Sequence, residues 1–226
     1  MENQQILEVV NLSTTVDQGK SSPFAKTTKR KLLENLSFSI ETGETLGLMG
    51  PSGIGKSTLA RVILGLHSDF SGEVIHHSQR PQMVFQDPHG SLNPRMTVGA
   101  MLKEAFLSAE ENKGKDHSQG VLEMLHLVDL SQELLNRKPQ ALSGGQKQRV
   151  SIALALLAGA KFIVLDEPVS ALDASHKLQI LKLLKQLQEQ LKLSYLFISH
   201  DMQTVQFMCK RVLLLEKDKQ WQLKTL

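Results

Sequence analysis

Apolar and polar positions alternate with two different periods along this chain. Short runs rich in apolar and β-branched residues, "ILEVVNLS" at 6–13 and "LSFSI" at 36–40, predict strands. Between them lies the polar, Ser/Thr/Lys-rich stretch 17–31, so two antiparallel strands joined by a long loop are expected. Next, "ETLGLMG" at 44–50 predicts a mostly apolar strand, and "STLARVILGL" at 57–66 follows it with helical spacing. From about 97 to 158 the pattern turns helical: "TVGAMLKEAFLSAEEN" and "GVLEMLHLVDL" predict amphipathic helices separated by a charged, Gly/Lys-containing break at 112–116. "KFIVLDE" at 161–167 and "YLFIS" at 195–199 then predict strands on either side of a helix from about 175 to 192. That helix is expected to carry Leu178, Leu181, Leu184, Leu187 and Leu191 on one stripe. The end, "RVLLLEKDKQWQLKTL", predicts a hairpin turning at Lys217 to Lys219. Apolar strands alternating with helices imply an α/β fold whose mostly parallel sheet is covered on both faces.

Composition narrows the classes. At 226 residues and 41% hydrophobic, the chain can bury a sizeable core. Its formal net charge of +3 is too small and too dispersed to argue for nucleic acid, and the one basic run, "KTTKRK" at 26–31, is expected to be a solvated loop. The single cysteine, Cys209, cannot form an internal disulfide and is expected to be a buried thiol, which fits the cytoplasm. The start "MENQQILEVV" lacks a signal-peptide pattern. The longest apolar tract, "IALALLAGA" at 152–160, falls short of the ~20 residues that a membrane span needs. No direct lipid insertion is expected, and membrane association is expected through a partner.

Residues 50–57 match G-x-x-x-x-G-K-[ST] between a predicted strand and a predicted helix, the setting a phosphate loop requires. Gly50, Gly53 and Gly55, with Pro51, Ser52 and Ile54 between them, let backbone N–H groups converge on phosphate oxygens, and the helix starting near Ser57 and Thr58 adds its positive dipole end. Lys56 is expected to reach the β- and γ-phosphates of ATP, and the Ser57 hydroxyl to ligate Mg²⁺. "FIVLDE" at 162–167 places Asp166 at the end of an apolar strand as a second metal acid, with Glu167 able to turn toward the γ-phosphate and orient or deprotonate a water. In "LSGGQKQR" at 142–149, Ser143, Gly144, Gly145 and Gln146 open another helix and so form a second anion site. Because a second site would be redundant for the same nucleotide, it is expected to cap ATP held by another subunit.

These motifs, in this order, resemble the nucleotide-binding subunits of ABC transporters over nearly the whole chain. The resemblance implies a RecA-like P-loop NTPase core with an N-terminal antiparallel β subdomain and a helical insert, about 90–158, carrying the LSGGQ signature, all in one domain spanning 1–226. It implies that Gln86 in "MVFQD" touches Mg²⁺ and the attacking water, that Asp173 in "SALD" belongs to the D-loop, and that His200 in "FISHD" contacts the γ-phosphate. Catalytic roles are thereby expected for Glu167, His200, Gln86 and Lys56, and metal contacts for Ser57, Gln86 and Asp166.

"FQDPHGSLNPRMTV" at 85–98 and "KPQALSGGQKQRV" at 138–150 resemble the peptide/nickel importer branch, particularly its second ATPase subunit. The implied partners are a second ATPase subunit of different sequence, two membrane permease subunits and an extracytoplasmic substrate-binding protein, at the cytoplasmic face of the membrane. Three departures stand out. The chain is short between "SGEV" at 71–74 and "QMVFQ" at 82–86; the adenine-stacking position offers only Val16, or Phe24 in the polar loop; and the C-terminal extension often found in the branch is not expected. The adjacent His76 and His77 lack the spaced further ligands of a metal site, so the cargo, whether peptide, nickel or a chelated metal, is not written here. An exporter ATPase, or a soluble ABC ATPase acting on DNA or ribosomes, is the alternative. The soluble class usually carries a second ATPase domain or a long coiled-coil insertion, and neither is expected here.

Overall fold

The computed structural model describes residues 4–18, 28–78, 80–86, 88–216 and 220–226. The chain divides into two compact units, one formed by Met1–His77 and Leu196–Leu226, the other by Ser78–Tyr195.

The first unit opens with two long strands, β1 (Gln5–Gln18) and β2 (Thr28–Glu41). They pair antiparallel from Gln5↔Glu41 to Gln18↔Thr28, and β4 (Phe70–His76) pairs on the other side of β1. The strands run further than the expected loop 17–31 allows. β-branched Thr14, Thr15 and Val16 suit a pleated surface, and the ladder's backbone bonds do not depend on side-chain polarity. Phe24 and the rest of 19–27 lie outside the described residues.

Asn11, at φ 50, marks a register shift between Val9 and Leu12. Such a bulge inserts one residue and reverses the two-residue alternation. Buried Leu7 and Val9 before it and buried Leu12 and Thr14 after it therefore share the core face. The bulge is held by Asn11 N–H donating to Ser37 Oγ at 2.8 Å.

The same unit carries β3 (Thr45–Met49), α1 (Lys56–Ile63), α7 (Met202–Met208), β8 (Arg211–Leu215) and β9 (Trp221–Thr225). β3 pairs parallel with β8, β8 pairs antiparallel with β9, and β7 (Ser194–Ile198) lies on the other side of β3. Every residue of β3 and β7 is buried, as strands covered on both faces require. α7 lies close to β3 because position 47 has no side chain: a Cβ there would sit 2.9 Å from Val205 Cγ1. Strands β8 and β9 form the expected C-terminal hairpin, whose turn at Lys217 to Lys219 lies outside the described residues. Cys209 is buried and in no disulfide, as expected.

In the second unit β5 (Gln82–Val84) pairs parallel with β6 (Phe162–Asp166), and the start of β7 follows, with Ser194 N–H donating to Lys161 O at 2.9 Å. Around them lie the single turn α2 (Pro88–Ser91), α3 (Val98–Ser108), α4 (His117–Leu127), α5 (Gly144–Leu157) and α6 (Ala174–Leu191). The break between α3 and α4 is present as a tight turn at Glu110–Asn112 followed by turn residues.

The stripe expected on α6 is corrected. Leu178 is 44% exposed, and the buried face is Ile180, Leu181, Leu183, Leu184 and Leu187. Steps of three residues fall ~60° short of a full turn, so residues 178 and 187 end on opposite sides of the helix, whereas a mixed three-and-four spacing keeps one face. Among the described residues no helix is long and apolar enough to cross a membrane.

Candidate functional site

In the first unit the phosphate-loop sequence leaves β3 at Gly50 and enters α1 at Lys56. Gly50 has φ 155, and a Cβ there would lie 2.7 Å from Leu215 O, so the chain can leave the buried sheet here only as glycine. Gly55, at φ 117, caps α1 with no side chain over the helix's first N–H groups. Lys56 Nζ donates to Gly50 O at 2.7 Å and to Pro51 O at 3.1 Å, folding its ammonium back over the loop. Pro51, Ser52, Gly53 and Ser57 are exposed, and Ile54 and Thr58 half-buried. An exposed glycine-containing loop, a helix start and a lysine folded over that loop fit a polyphosphate chemically.

His200 belongs to the same unit. It follows β7, whose neighbour Ser199 donates its N–H to Leu48 O of β3 at 3.3 Å. Its other neighbour, Asp201, caps α7 by accepting from Gln203 N–H at 3.0 Å and also accepts from the Thr204 hydroxyl. The backbone that carries the exposed imidazole is thus held on both sides along the chain.

The second unit brings together Gln86 and the two consecutive acids. β6 ends at half-buried Asp166, and Glu167 turns out of the strand with φ 47. Its carboxylate Oε2 accepts from Gln86 Nε2 at 3.1 Å. The Ser170 N–H and hydroxyl both donate to Glu167 O, at 3.2 and 3.1 Å, which closes the turn that leads to Asp173.

Ser143 caps α5 in a reciprocal pair: its Oγ accepts from Gln146 N–H at 3.3 Å, and Gln146 Oε1 accepts from Ser143 N–H at 2.9 Å. The Gln146 carbonyl is therefore committed to its own helix start. Gly144 and Gly145 form the first turn, with only Gly145 buried.

Residues 33–170 match the family model described as ABC transporter. The chain belongs to the ABC transporter family. It is 42% identical to the oligopeptide transport ATP-binding protein OppF of Bacillus subtilis (strain 168) over 80% of this chain and 65% of that protein. The OppF protein of Haemophilus influenzae (strain ATCC 51907 / DSM 11121 / KW20 / Rd) is also 42% identical, over 94% of this chain and 70% of its own length. Dipeptide transport ATP-binding protein DppF of that organism is 37% identical over 95% and 70%. The ABC chain thus spans about two-thirds of the length of these relatives.

Among solved structures, the ATP-binding cassette MJ0796, in a dimeric post-hydrolysis state bound to ADP and Pi, aligns with a TM-score of 0.77 and 27% identity over 97% of this chain and 98% of its own. A metal-chelate type ABC transporter in an inward-facing conformation aligns at 0.79 and 27% over 98% and 84%. The P-loop NTPase architecture, with its antiparallel β subdomain, is that of ABC cassettes.

Three features of these segments were not read from the sequence. One is the reciprocal cap at Ser143 and Gln146, legible in principle as S-x-x-Q before a helix. A second is Gln140, whose Nε2 donates to Pro94 O at 3.0 Å and ties the approach to the signature to the segment after Gln86; no spacing rule announces it. The third is His176, whose Nδ1 lies 2.6 Å from Asp173 Oδ2. Asp173 also caps α6, accepting from Ser175 N–H and His176 N–H at 3.1 Å each. Hydrogen bonds from the His176 backbone and ring, more than from Ser175, hold its carboxyl below the usual range.

His76 and His77 turn to separate partners, Nε2 of the first to Ile63 O and Nε2 of the second to Glu8 Oε1, both at 2.7 Å. Among the described residues no group of three or more His, Cys, Asp or Glu is arranged to hold a metal ion.

Proposed function

We propose that this ABC chain is the ATP-binding and ATP-hydrolysing subunit that energises an importer for peptides. The observation that carries this is its 37–42% identity, over 80–95% of its length, to proteins named for ATP binding in oligopeptide and dipeptide transport. It works as one nucleotide-binding domain over 1–226, beside a second ATPase subunit of different sequence, on two permease subunits at the cytoplasmic face of the membrane, with cargo delivered by an extracytoplasmic binding protein. Nothing in its own chemistry calls for nucleic acid.

ATP docks with its phosphates on backbone N–H groups of 52–58, and Lys56 exchanges its two carbonyl partners for β- and γ-phosphate oxygens. Ser57, Asp166 and Gln86 would hold Mg²⁺, which when bound neutralises charge on the phosphates. Glu167 orients and deprotonates the attacking water, Gln86 holds that carboxylate, and His200 contacts the γ-phosphate. Ser143, Gly144, Gly145 and Gln146, with Asp173, complete the site of the neighbouring subunit. The Gln140 to Pro94 bond supports a route by which a change at Gln86 reaches the signature and the permease. Because much of the binding comes from the phosphates, the site does not depend on an aromatic under adenine.

The test is uptake of labelled short peptides, nickel and other transition metals by the producing cell carrying Lys56→Ala. Loss of peptide uptake alone is expected. Loss of metal uptake alone, or no loss in any of them, overturns the peptide assignment. ATPase activity strongly stimulated by nucleic acid would move the chain to the soluble class.

A further inference from the structure

Residues 172–176 pack onto the start of α5. A Cβ at Gly144 would lie 3.4 Å from Leu172 Cδ2, and one at Gly145 would lie 3.3 Å from His176 Cδ2 and 3.9 Å from its Cγ. The imidazole therefore lies beside the second glycine of the signature, near enough that a methyl group there would press on it. Its Nδ1 meets Asp173 Oδ2 at 2.6 Å, while Asp173 Oδ1 is held by the two N–H groups at the start of α6. One carboxylate is thus fixed on both oxygens, and one ring joins it to α5. Ser143, Gly145, Gln146, Arg149, His176 and Asp129 line a polar cleft of about 270 Å³ beside this contact.

We propose that His176 is a positioning residue for ATP hydrolysis, tying Asp173 to the start of the signature helix so that both are presented together to the neighbouring subunit's nucleotide. This rests on the assignment of Asp173 and residues 143–146 to the nucleotide machinery made above. Stability is a poor reason for the arrangement. The His176 and Asp173 side chains are 52% and 66% exposed, and ion pairs in that setting add little to folding. Their geometric effect is larger, because catalysis across a subunit boundary depends on both elements reaching it in register. Neither His176 nor Asp173 lies on the phosphate loop, so ATP bound by this chain's own loop keeps its affinity when the tie is cut.

The experiment uses the full chain purified with its membrane partners and compares kcat, KM for ATP and Tm for the natural protein and four variants. In His176→Ala, kcat is expected to fall about fivefold with KM within about twofold and Tm within about 2 °C. His176→Asn places an amide nitrogen where Nδ1 stood and is expected to restore kcat to within about twofold; His176→Phe keeps a ring on Gly145 but no donor, and is expected not to. An unchanged kcat in the Ala variant, a loss that follows a fall in Tm, a loss that Asn does not restore, or full restoration by Phe overturns the proposal. Glu167→Gln is measured beside them. If it hydrolyses ATP like the natural chain, the site assignment has failed, and not only the pairing of His176 with Asp173.

Discussion

Gln86 Nε2 donates to Glu167 Oε2 across 3.1 Å, and Glu167 holds its end of that bond from a left-handed backbone at φ 47. A non-glycine residue there costs about 1 kcal/mol, a strain retained only where the surroundings enforce it. Here the Ser170 N–H and hydroxyl, both on Glu167 O, enforce it. The carboxylate is thus aimed before a substrate arrives. Glu167→Gln should keep ATP affinity and lower turnover by about 10²- to 10⁴-fold, since the amide can still pair but cannot take a proton. Equilibrium nucleotide binding and steady-state phosphate release measure the two halves, and near-normal turnover would remove Glu167 from the role of base.

Lys56 makes a different kind of prediction, because its ammonium already has two partners, Gly50 O and Pro51 O. ATP must compete with both. Charged hydrogen bonds are worth about 1.5–3 kcal/mol each, so Lys56→Ala should weaken ATP binding by about 10- to 100-fold. The same change removes two contacts that close the loop, so a loss of folding stability of about 1 kcal/mol is expected as well. Titration with ATP and with ADP separates the contributions: the loss should be greater for ATP, whose γ-phosphate the lysine also reaches. Equal losses would place Lys56 on the β-phosphate alone.

The phosphate loop, the acids after β6 and the signature were legible in the sequence because each is a short run whose spacing is set by backbone geometry. Gly50 is readable from the G-x-x-x-x-G-K-[ST] spacing, and Ser143 from the run of small residues that opens the signature helix. The α6 stripe was misread because a run of leucines three apart looks periodic although the helix turns every 3.6 residues. The length of β1 and β2 was hidden because Thr, Lys and Asp pair in a ladder as readily as they fill a loop. His176 and Gln140 were invisible for a third reason: each acts on a residue whose proximity only the folded chain creates, His176 on Gly145 and Gln140 on Pro94.

Gly120 lies within α4, where glycine is ordinarily a cost, and the reason is the Phe106 ring: a Cβ at 120 would lie 2.1 Å from Phe106 Cε2. Helix propensity alone would make Gly120→Ala stabilising. Overlap with a side chain that is only 4% exposed should reverse the sign, giving a loss of about 1–3 kcal/mol. Chemical denaturation measures this, and the double change Gly120→Ala with Phe106→Leu should recover part of the loss beyond what the two single changes add up to. A stabilised single variant would show that the ring has room to move.

Arg211 Nε lies 3.2 Å from Glu44 Oε1, an ion pair without a well-aligned hydrogen bond, while Nη2 donates to Ser39 O at 2.8 Å. Burial pushes the Glu44 carboxyl above its ordinary value of 4.5, opposed by the Glu41 N–H and by Arg211. A raised folded-state value means the native protein holds the proton more tightly than the unfolded chain does. The contribution of Glu44 to stability is therefore fully present below 4.5 and is lost as pH rises through the folded-state value. Replacing Arg211 by Met removes the counter-charge, so that value climbs further and the penalty of the ionised carboxylate deepens at neutral pH. At pH 4 the carboxyl is largely protonated in the native state, and the variant loses mainly the Ser39 bond. Arg211→Met should thus destabilise the protein by about 1–2 kcal/mol more at pH 7 than at pH 4, judged by denaturant midpoints and slopes at each pH. Equal losses at the two pH values would mean that Arg211 acts through its bond to Ser39 and its packing, and not through the charge of Glu44.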